Sequence, residues 1–147
     1  MSTIPVDVLQ RALSAEHAAI YAYGVIAAQL AGQPRRDASA ALDQHRARRD
    51  RLREYVIEGG AKPAEPDAAY QVPSPVLTPV AAQALAANVE RLMALAYGDL
   101  VAAANDDLRG FAAHALADAA VRETGWGGQA PQFPGLVRPG VSPSPTP

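Results

Sequence analysis

Four side chains that could bind a metal ion or carry a proton lie near the middle of separate helix-forming stretches. They are two glutamates and two histidines: Glu16, His45, Glu90 and His114. Glu16 is the most unusual, because it falls on the apolar stripe of its stretch, where an unpaired carboxylate is costly. Mixed carboxylate and imidazole ligation suits Fe(II), Mn(II) or Zn(II). The four side chains are therefore a candidate metal site.

The spacing around these residues is repeated. Glu16 and Glu90 are each followed seven residues later by a Tyr-Gly pair, and His45 and His114 are each followed eight residues later by an Arg-Glu pair. We interpret the two halves of the chain as degenerate copies of one unit. Since mid-helix positions share a height whichever way a helix runs, we expect all four side chains to meet in one polar layer of the core.

Four helices are expected from hydrophobic periodicity and from the residues that begin and end helices. Their expected ranges are 6–32, 35–59, 79–104 and 106–125. The first two helices and the last two are joined by short connections, so each pair forms an antiparallel hairpin. The proline-rich link 61–77 is long enough to run the length of a helix. These features predict an all-α four-helix bundle of two hairpins with one long crossover.

The bundle is expected to span residues 1–126, followed by a Gly/Pro-rich tail at 127–147. The segment WGGQAPQFPGL can fold back on the bundle, and the end of the tail is expected to be disordered. A net charge of −2 argues against nucleic-acid binding, and the absence of cysteine excludes a disulfide framework and a thiolate zinc site. No apolar run is long enough to cross a membrane. The start MSTIPVDV lacks the cationic region of a signal peptide, so a cytoplasmic protein is expected.

Several segments, AEHAAIYAYG, AYQVPSPV and QFPGL, together with the His- and Arg-rich second helix, resemble a bacterial ferritin-like family of unassigned function. The resemblance covers about residues 6–125. It implies a ferritin-like bundle with the two glutamates and two histidines above as ligands of iron or manganese. The ferritin-like pattern also has a glutamate three residues before each histidine. Leu42 and Phe111 stand at those positions, which argues against a site for two metal ions.

Three arrangements of the polar layer stay open: a metal-free layer of Glu–His hydrogen bonds, a single metal ion, and a two-metal site completed by Asp118 or water. An Arg49–Asp118 ion pair beside the layer would disfavour a cation. The functional hypothesis is a ferritin-like protein of unassigned activity with a degenerate iron-type site. The alternative is a non-catalytic structural or interaction module with a metal-free Glu/His core. A homodimer is expected, with neither nucleic acid nor membrane as a partner.

Residues beside the candidate site carry further expectations. Tyr23 and Tyr97 are expected to pack in the core with their hydroxyl groups hydrogen bonded. Gly24 and Gly98 each cost helix stability relative to alanine, and a close approach between helices would explain them. Trp126 is expected to cover one end of the bundle or to form part of a dimer contact.

Overall fold

The chain folds into four helices with no strand in the parts described by the computed structural model, residues 3–72 and 75–136. In chain order they are α1 (Val6–Ala28), α2 (Gly32–Glu58), α3 (Pro79–Ala103) and α4 (Asp106–Gly125). None of these helices is long and apolar enough to cross a membrane. The predicted all-α four-helix bundle is confirmed. The end of the predicted tail, residues 137–147, lies outside the described residues.

The helix boundaries follow the sequence signals closely at α3 and less closely between α1 and α2. The hydroxyl of Thr78 accepts a hydrogen bond from the backbone N–H of Ala81 at 3.1 Å, and Pro79 occupies the first helical position. By contrast, α1 ends four residues before the expected boundary at Gly32, and α2 already begins there. Pro34 therefore lies in the first turn of α2, where its missing N–H removes no helical hydrogen bond.

The direction of α3 is fixed by reciprocal contacts with α1. Tyr23 of α1 contacts Glu90 of α3, and Tyr97 of α3 contacts Glu16 of α1. The later residue of each helix thus pairs with the earlier residue of the other, so the two helices are antiparallel. A three-residue connection makes α1 and α2 antiparallel as well. Consequently α2 and α3 run in the same direction, which confirms the two hairpins and the long crossover.

The crossover link lies along α1. The side-chain oxygen of Gln10 accepts the N–H of Ala64 at 2.8 Å, and His17 Nε2 lies 2.9 Å from the carbonyl oxygen of Ala64. Farther along both segments, the rings of Tyr21 and Tyr70 lie 5.3 Å apart. Later residues of the link therefore contact later residues of α1, as expected for a link that runs along the length of the bundle.

Residues 127–136, which we call the C-terminal strap, pack back on α3 and α4. A Cβ added at Gly98 would lie 2.8 Å from the Cα of Gly135, whereas a Cβ added at Gly24 would have no neighbour within 4 Å. The expected close helix approach is therefore wrong at both glycines. Gly98 admits the backbone of the strap, and Gly24 faces open space.

This difference predicts opposite effects for one substitution at two glycines of the helices. Gly24→Ala should stabilise the protein by about 1 kcal/mol, because alanine is the better helix former and has room. Gly98→Ala should destabilise it by roughly 1–2 kcal/mol, because overpacking against the strap outweighs that gain. Urea unfolding of both variants measures the two values. Equal stabilisation at both positions would show that the strap does not pack on α3.

Candidate functional site

Three of the four predicted side chains meet in the core. Glu16 comes from α1, His45 from α2 and Glu90 from α3, and none of them has exposed surface. His45 Nδ1 lies 2.6 Å from Glu16 Oε2, and His45 Nε2 lies 3.0 Å from Glu90 Oε1. The imidazole ring of His45 thus bridges the two carboxylates.

The bridge requires His45 to be an imidazolium, because both ring nitrogens face carboxylate acceptors and each must donate a proton. Burial lowers the pKa of His45, but the hydrogen bonds and negative charges of Glu16 and Glu90 outweigh burial and raise it to about 9. Burial likewise raises the pKa of Glu90. The hydrogen bond and charge of His45, helped by the charge of Arg122, prevail and lower it. The arrangement is a buried carboxylate–imidazolium–carboxylate triad.

Two tyrosine hydroxyl groups donate further hydrogen bonds to the carboxylates of this triad. The hydroxyl of Tyr23 donates to Glu90 Oε1 at 2.6 Å, and the hydroxyl of Tyr97 donates to Glu16 Oε1. Burial and the adjacent carboxylate raise the pKa of both tyrosines, so both remain protonated donors. The expectation of core tyrosines with hydrogen-bonded hydroxyl groups is confirmed. Each tyrosine serves the glutamate of the other hairpin.

Two arginines link α2 to α4 beside the triad. Arg122 Nε donates to Glu90 Oε1 at 2.8 Å, and Arg122 Nη1 donates to the side-chain oxygen of Gln44. Arg48 donates to Asp118. Cations therefore lie against the carboxylate cluster on the α2–α4 side.

The expected Arg49–Asp118 ion pair is wrong by one position in the chain. Arg48 occupies that role, and Arg49 pairs with its neighbour Asp50 at 2.9 Å. Adjacent residues on a helix point about 100° apart, so only one of the two arginines can reach α4.

The contacts around the triad occur twice, related by a shift of 74 residues in the chain. The corresponding residues are Glu16 and Glu90, Tyr23 and Tyr97, Gln44 and Asp118, and Arg48 and Arg122. The Glu–Tyr contacts are exchanged reciprocally between α1 and α3, and the arginine contacts are exchanged between α2 and α4. This is internal pseudo-twofold symmetry. The arginines were missed as site residues, although this shift, already visible in the glutamates, would have found them.

His114 does not join the layer, and this part of the site prediction is wrong. The shift of 74 pairs His45 with Ala119, which is fully buried, while His114 is exposed on α4. The histidine alignment used a shift of 69, five residues short of the glutamate shift. Five residues rotate a helical position by about 140°. The side chain at 114 therefore faces away from the core.

The described side chains do not fit a metal ion in this arrangement. Both nitrogens of His45 carry protons toward carboxylates, and the guanidinium of Arg122 lies on Glu90. Across the described part of the chain, no group of three or more His, Cys, Asp or Glu side chains could hold a metal. Within the triad, Glu90 Oε2 is buried and has no hydrogen-bond partner among the described residues, so it remains available to a ligand.

The indole of Trp126 covers one end of the network. Its Nε1 donates to the hydroxyl of Tyr23 at 3.0 Å, and the two rings lie 6.5 Å apart. The three side chains of the triad have no exposed surface. What the network provides is charge compensation: the positive charges of His45 and Arg122 lie against the negative charges of Glu16 and Glu90.

The comparisons agree with a helical protein of unassigned activity. The crystal structure of a conserved hypothetical protein from Mycobacterium tuberculosis is similar, with 35% sequence identity and a TM-score of 0.79 over 82% of this chain and 92% of that chain. No curated protein matches the sequence. Residues 8–138 match a family described as a domain of unknown function, DUF4439. The chain therefore belongs to the DUF4439 family.

Proposed function

We propose that this protein is a non-catalytic structural or interaction module whose Glu–His–Glu core is a metal-free charged network. One observation carries the proposal: both nitrogens of His45 donate to carboxylates, at 2.6 and 3.0 Å. An imidazole used in this way has no lone pair left for a metal ion. The protonated ring supplies the positive charge that two buried glutamates need.

The network's role in this proposal is to fix how the four helices align. Each buried carboxylate meets a tyrosine of the other hairpin, and Arg122 joins α4 to the same cluster. Sliding one helix by a turn would leave at least one buried charge without its partner, which is strongly unfavourable. A unique register would hold the outer surfaces of the bundle in a fixed relation.

The second candidate is the degenerate iron or manganese site of a ferritin-like protein, held by Glu16, His45 and Glu90. The unpartnered Oε2 of Glu90 favours it, because a buried carboxylate oxygen without a hydrogen bond is a ready ligand. Metal binding would require His45 to lose a proton. Affinity should therefore rise with pH.

Metal content and metal-dependent stability distinguish the two candidates. Protein purified without an affinity tag should contain far less than one metal ion per chain. Its melting temperature should be unchanged by chelator and by added Fe(II) or Mn(II). A metal ion whose free concentration is 100 times its dissociation constant would add about 2.7 kcal/mol to the free energy of unfolding. A stoichiometric metal whose removal lowers the melting temperature would overturn the metal-free network.

We also propose that the module forms a homodimer through an apolar groove between α1 and α3. The groove has a volume of about 240 Å³ and includes Tyr21 and Leu92, which are 44% and 48% exposed. The parts of the groove on α1 and α3 correspond under the 74-residue shift, with Ala15, Ala18 and Ala19 matching Val89, Leu92 and Met93, and the link adds Tyr70, Gln71 and Val72 to one side. An exposed apolar groove of this kind suits a symmetric contact between two copies of the chain. Light scattering on the same untagged sample gives the mass, and a monomer would count against this part.

A further inference from the structure

A buried carboxylate outside the triad lacks a partner. Glu123 on α4 is 3% exposed, and its Oε2 has no hydrogen bond among the described residues. Burial raises the pKa of Glu123, the nearby charge of Glu90 adds to the rise, and the charge of Arg91 opposes it. Glu16 and Glu90, by comparison, have tyrosine and histidine donors. Glu123 Oε2 thus lacks the hydrogen-bond donor that a buried carboxylate oxygen requires.

Glu123 lines a cavity of about 190 Å³ between α3, α4 and the C-terminal strap. The other charged residue of the lining is Arg91, on the exposed face of α3. The remaining walls are apolar or backbone: Ala94, Leu95, Pro131, Pro134, Gly135 and Leu136. The strap closes tightly on the acid, because a Cβ added at Gly128 would lie 2.7 Å from the Cγ of Glu123. The cavity therefore has a buried anion, an exposed cation and an aliphatic wall.

Arg91 does not neutralise Glu123 directly. Its guanidinium Nη2 donates to the side-chain oxygen of Asn88 at 2.7 Å. A buried carboxylate without a donor is unfavourable, so a ligand that supplies one gains affinity from it. A simple cation would satisfy Glu123 but would be repelled by Arg91. A molecule with an ammonium group at one end and a carboxylate at the other satisfies both.

We propose that this cavity binds a small amino acid zwitterion, with its ammonium group on Glu123, its carboxylate on Arg91 and a short aliphatic chain against the apolar wall. The small volume of the cavity, about 190 Å³, suits a ligand of a few carbons. Binding releases a proton from any Glu123 that is neutral. Affinity therefore rises as pH rises. The cavity contains no residue of the triad, although the charge of Glu90 acts on Glu123, and the inference does not rest on the proposed structural role.

A matched series of probes tests each charge of the ligand: 4-aminobutyrate, butylammonium and butyrate, titrated into the full chain and followed by NMR. We expect saturable shifts at the cavity residues with 4-aminobutyrate, weaker binding of butylammonium and none of butyrate. Glu123→Gln should weaken 4-aminobutyrate binding about tenfold or more, since it removes a charge-assisted hydrogen bond. Asp99→Asn changes an exposed acid on α3 outside the cavity and should have no effect.

Arg91→Gln keeps the inference testable if Glu123→Gln fails to fold. It should remove the preference for 4-aminobutyrate over butylammonium, because only the zwitterion uses the guanidinium. The proposal is overturned if 4-aminobutyrate does not bind, if butyrate binds equally well, or if binding is unchanged in the Glu123→Gln protein.

Discussion

His45→Ala is expected to be the most destabilising single substitution in the polar core, at about 3–5 kcal/mol near neutral pH. The substitution removes the only described donor to Glu16 Oε2 and one of the donors to Glu90 Oε1. Two buried carboxylates would then face each other without the cation between them. Protonation of one carboxylate, or water entering the space, would recover only part of the loss.

His114→Ala is the matched control, because it removes the same chemical group from an exposed position. Its effect should lie within about 0.5 kcal/mol of zero. Urea unfolding, analysed for both midpoint and slope, gives the two free energies of unfolding. Similar losses for the two variants would refute the placement of His45 in the core and of His114 on the surface.

The fold could be predicted from the sequence because its signals are local. Chain length between helices decides which neighbours are antiparallel, and the prolines of the link exclude another helix there. Thr78 and Pro79 mark the start of α3 in the structure as they do in the sequence. The least accurate boundary lies between α1 and α2, because Pro34 falls in the gap between the expected ranges 6–32 and 35–59 but lies in the first turn of α2 in the structure.

The site was predicted in part, because height along a helix is easier to read than rotation about its axis. Glu16, His45 and Glu90 lie at mid-helix and do converge. His114 shares that height but faces outward. Arg48 contacts Asp118 and Arg122 contacts Gln44, and these two contacts are related by the shift of 74 residues. The glutamates and tyrosines already show that shift, but alanine-rich helices also match at others, and the histidines were aligned at a shift of 69.

The composition of the strap allows it to fold back but does not show where it packs. Glycine and proline favour a tail, yet Gly128 and Gly135 let its backbone lie against α3 and α4. Only the contact with Gly98 shows why a glycine is tolerated inside α3. Close backbone packing of this kind leaves no hydrophobic pattern in the strap itself, since its close contacts are made by backbone atoms.

The stability of the protein is expected to fall between about pH 6.5 and pH 9 as the triad loses its proton. His45 has a pKa of about 9 in the folded chain and an ordinary value of 6.5 when unfolded. A group whose pKa is raised by folding stabilises the native state fully below the unfolded value. That contribution is lost as pH rises through the folded value. The corresponding loss is on the order of 3 kcal/mol.

The charged groups around His45 explain why its pKa is raised, because the two glutamates contact the ring directly. Glu16 and Glu90 hold the proton on the ring, whereas Arg48 on α2 and Arg122 on α4 add positive charge at the edge of the cluster. The pKa of Glu90 is lowered by folding, so this residue affects the stability of the protein at acid pH. Its contribution is present above the unfolded value near pH 4.5 and is lost in acid. Maximum stability should therefore lie between about pH 5 and pH 6.5.

Urea unfolding at intervals from about pH 5 to pH 9.5 measures this curve and stops before tyrosines of the unfolded chain ionise near pH 10. The His45→Ala protein is the control. It should lose the part of the slope between pH 6.5 and 9 that the proton of His45 contributes, whereas the raised pKa of Glu123 is left in place. His114→Ala should retain the full wild-type slope, because the side chain at 114 is exposed on α4 and lies outside the triad. A wild-type curve that is flat from pH 6.5 to 9 would mean that His45 is neutral in the folded protein, and would reopen the case for a metal at that ring.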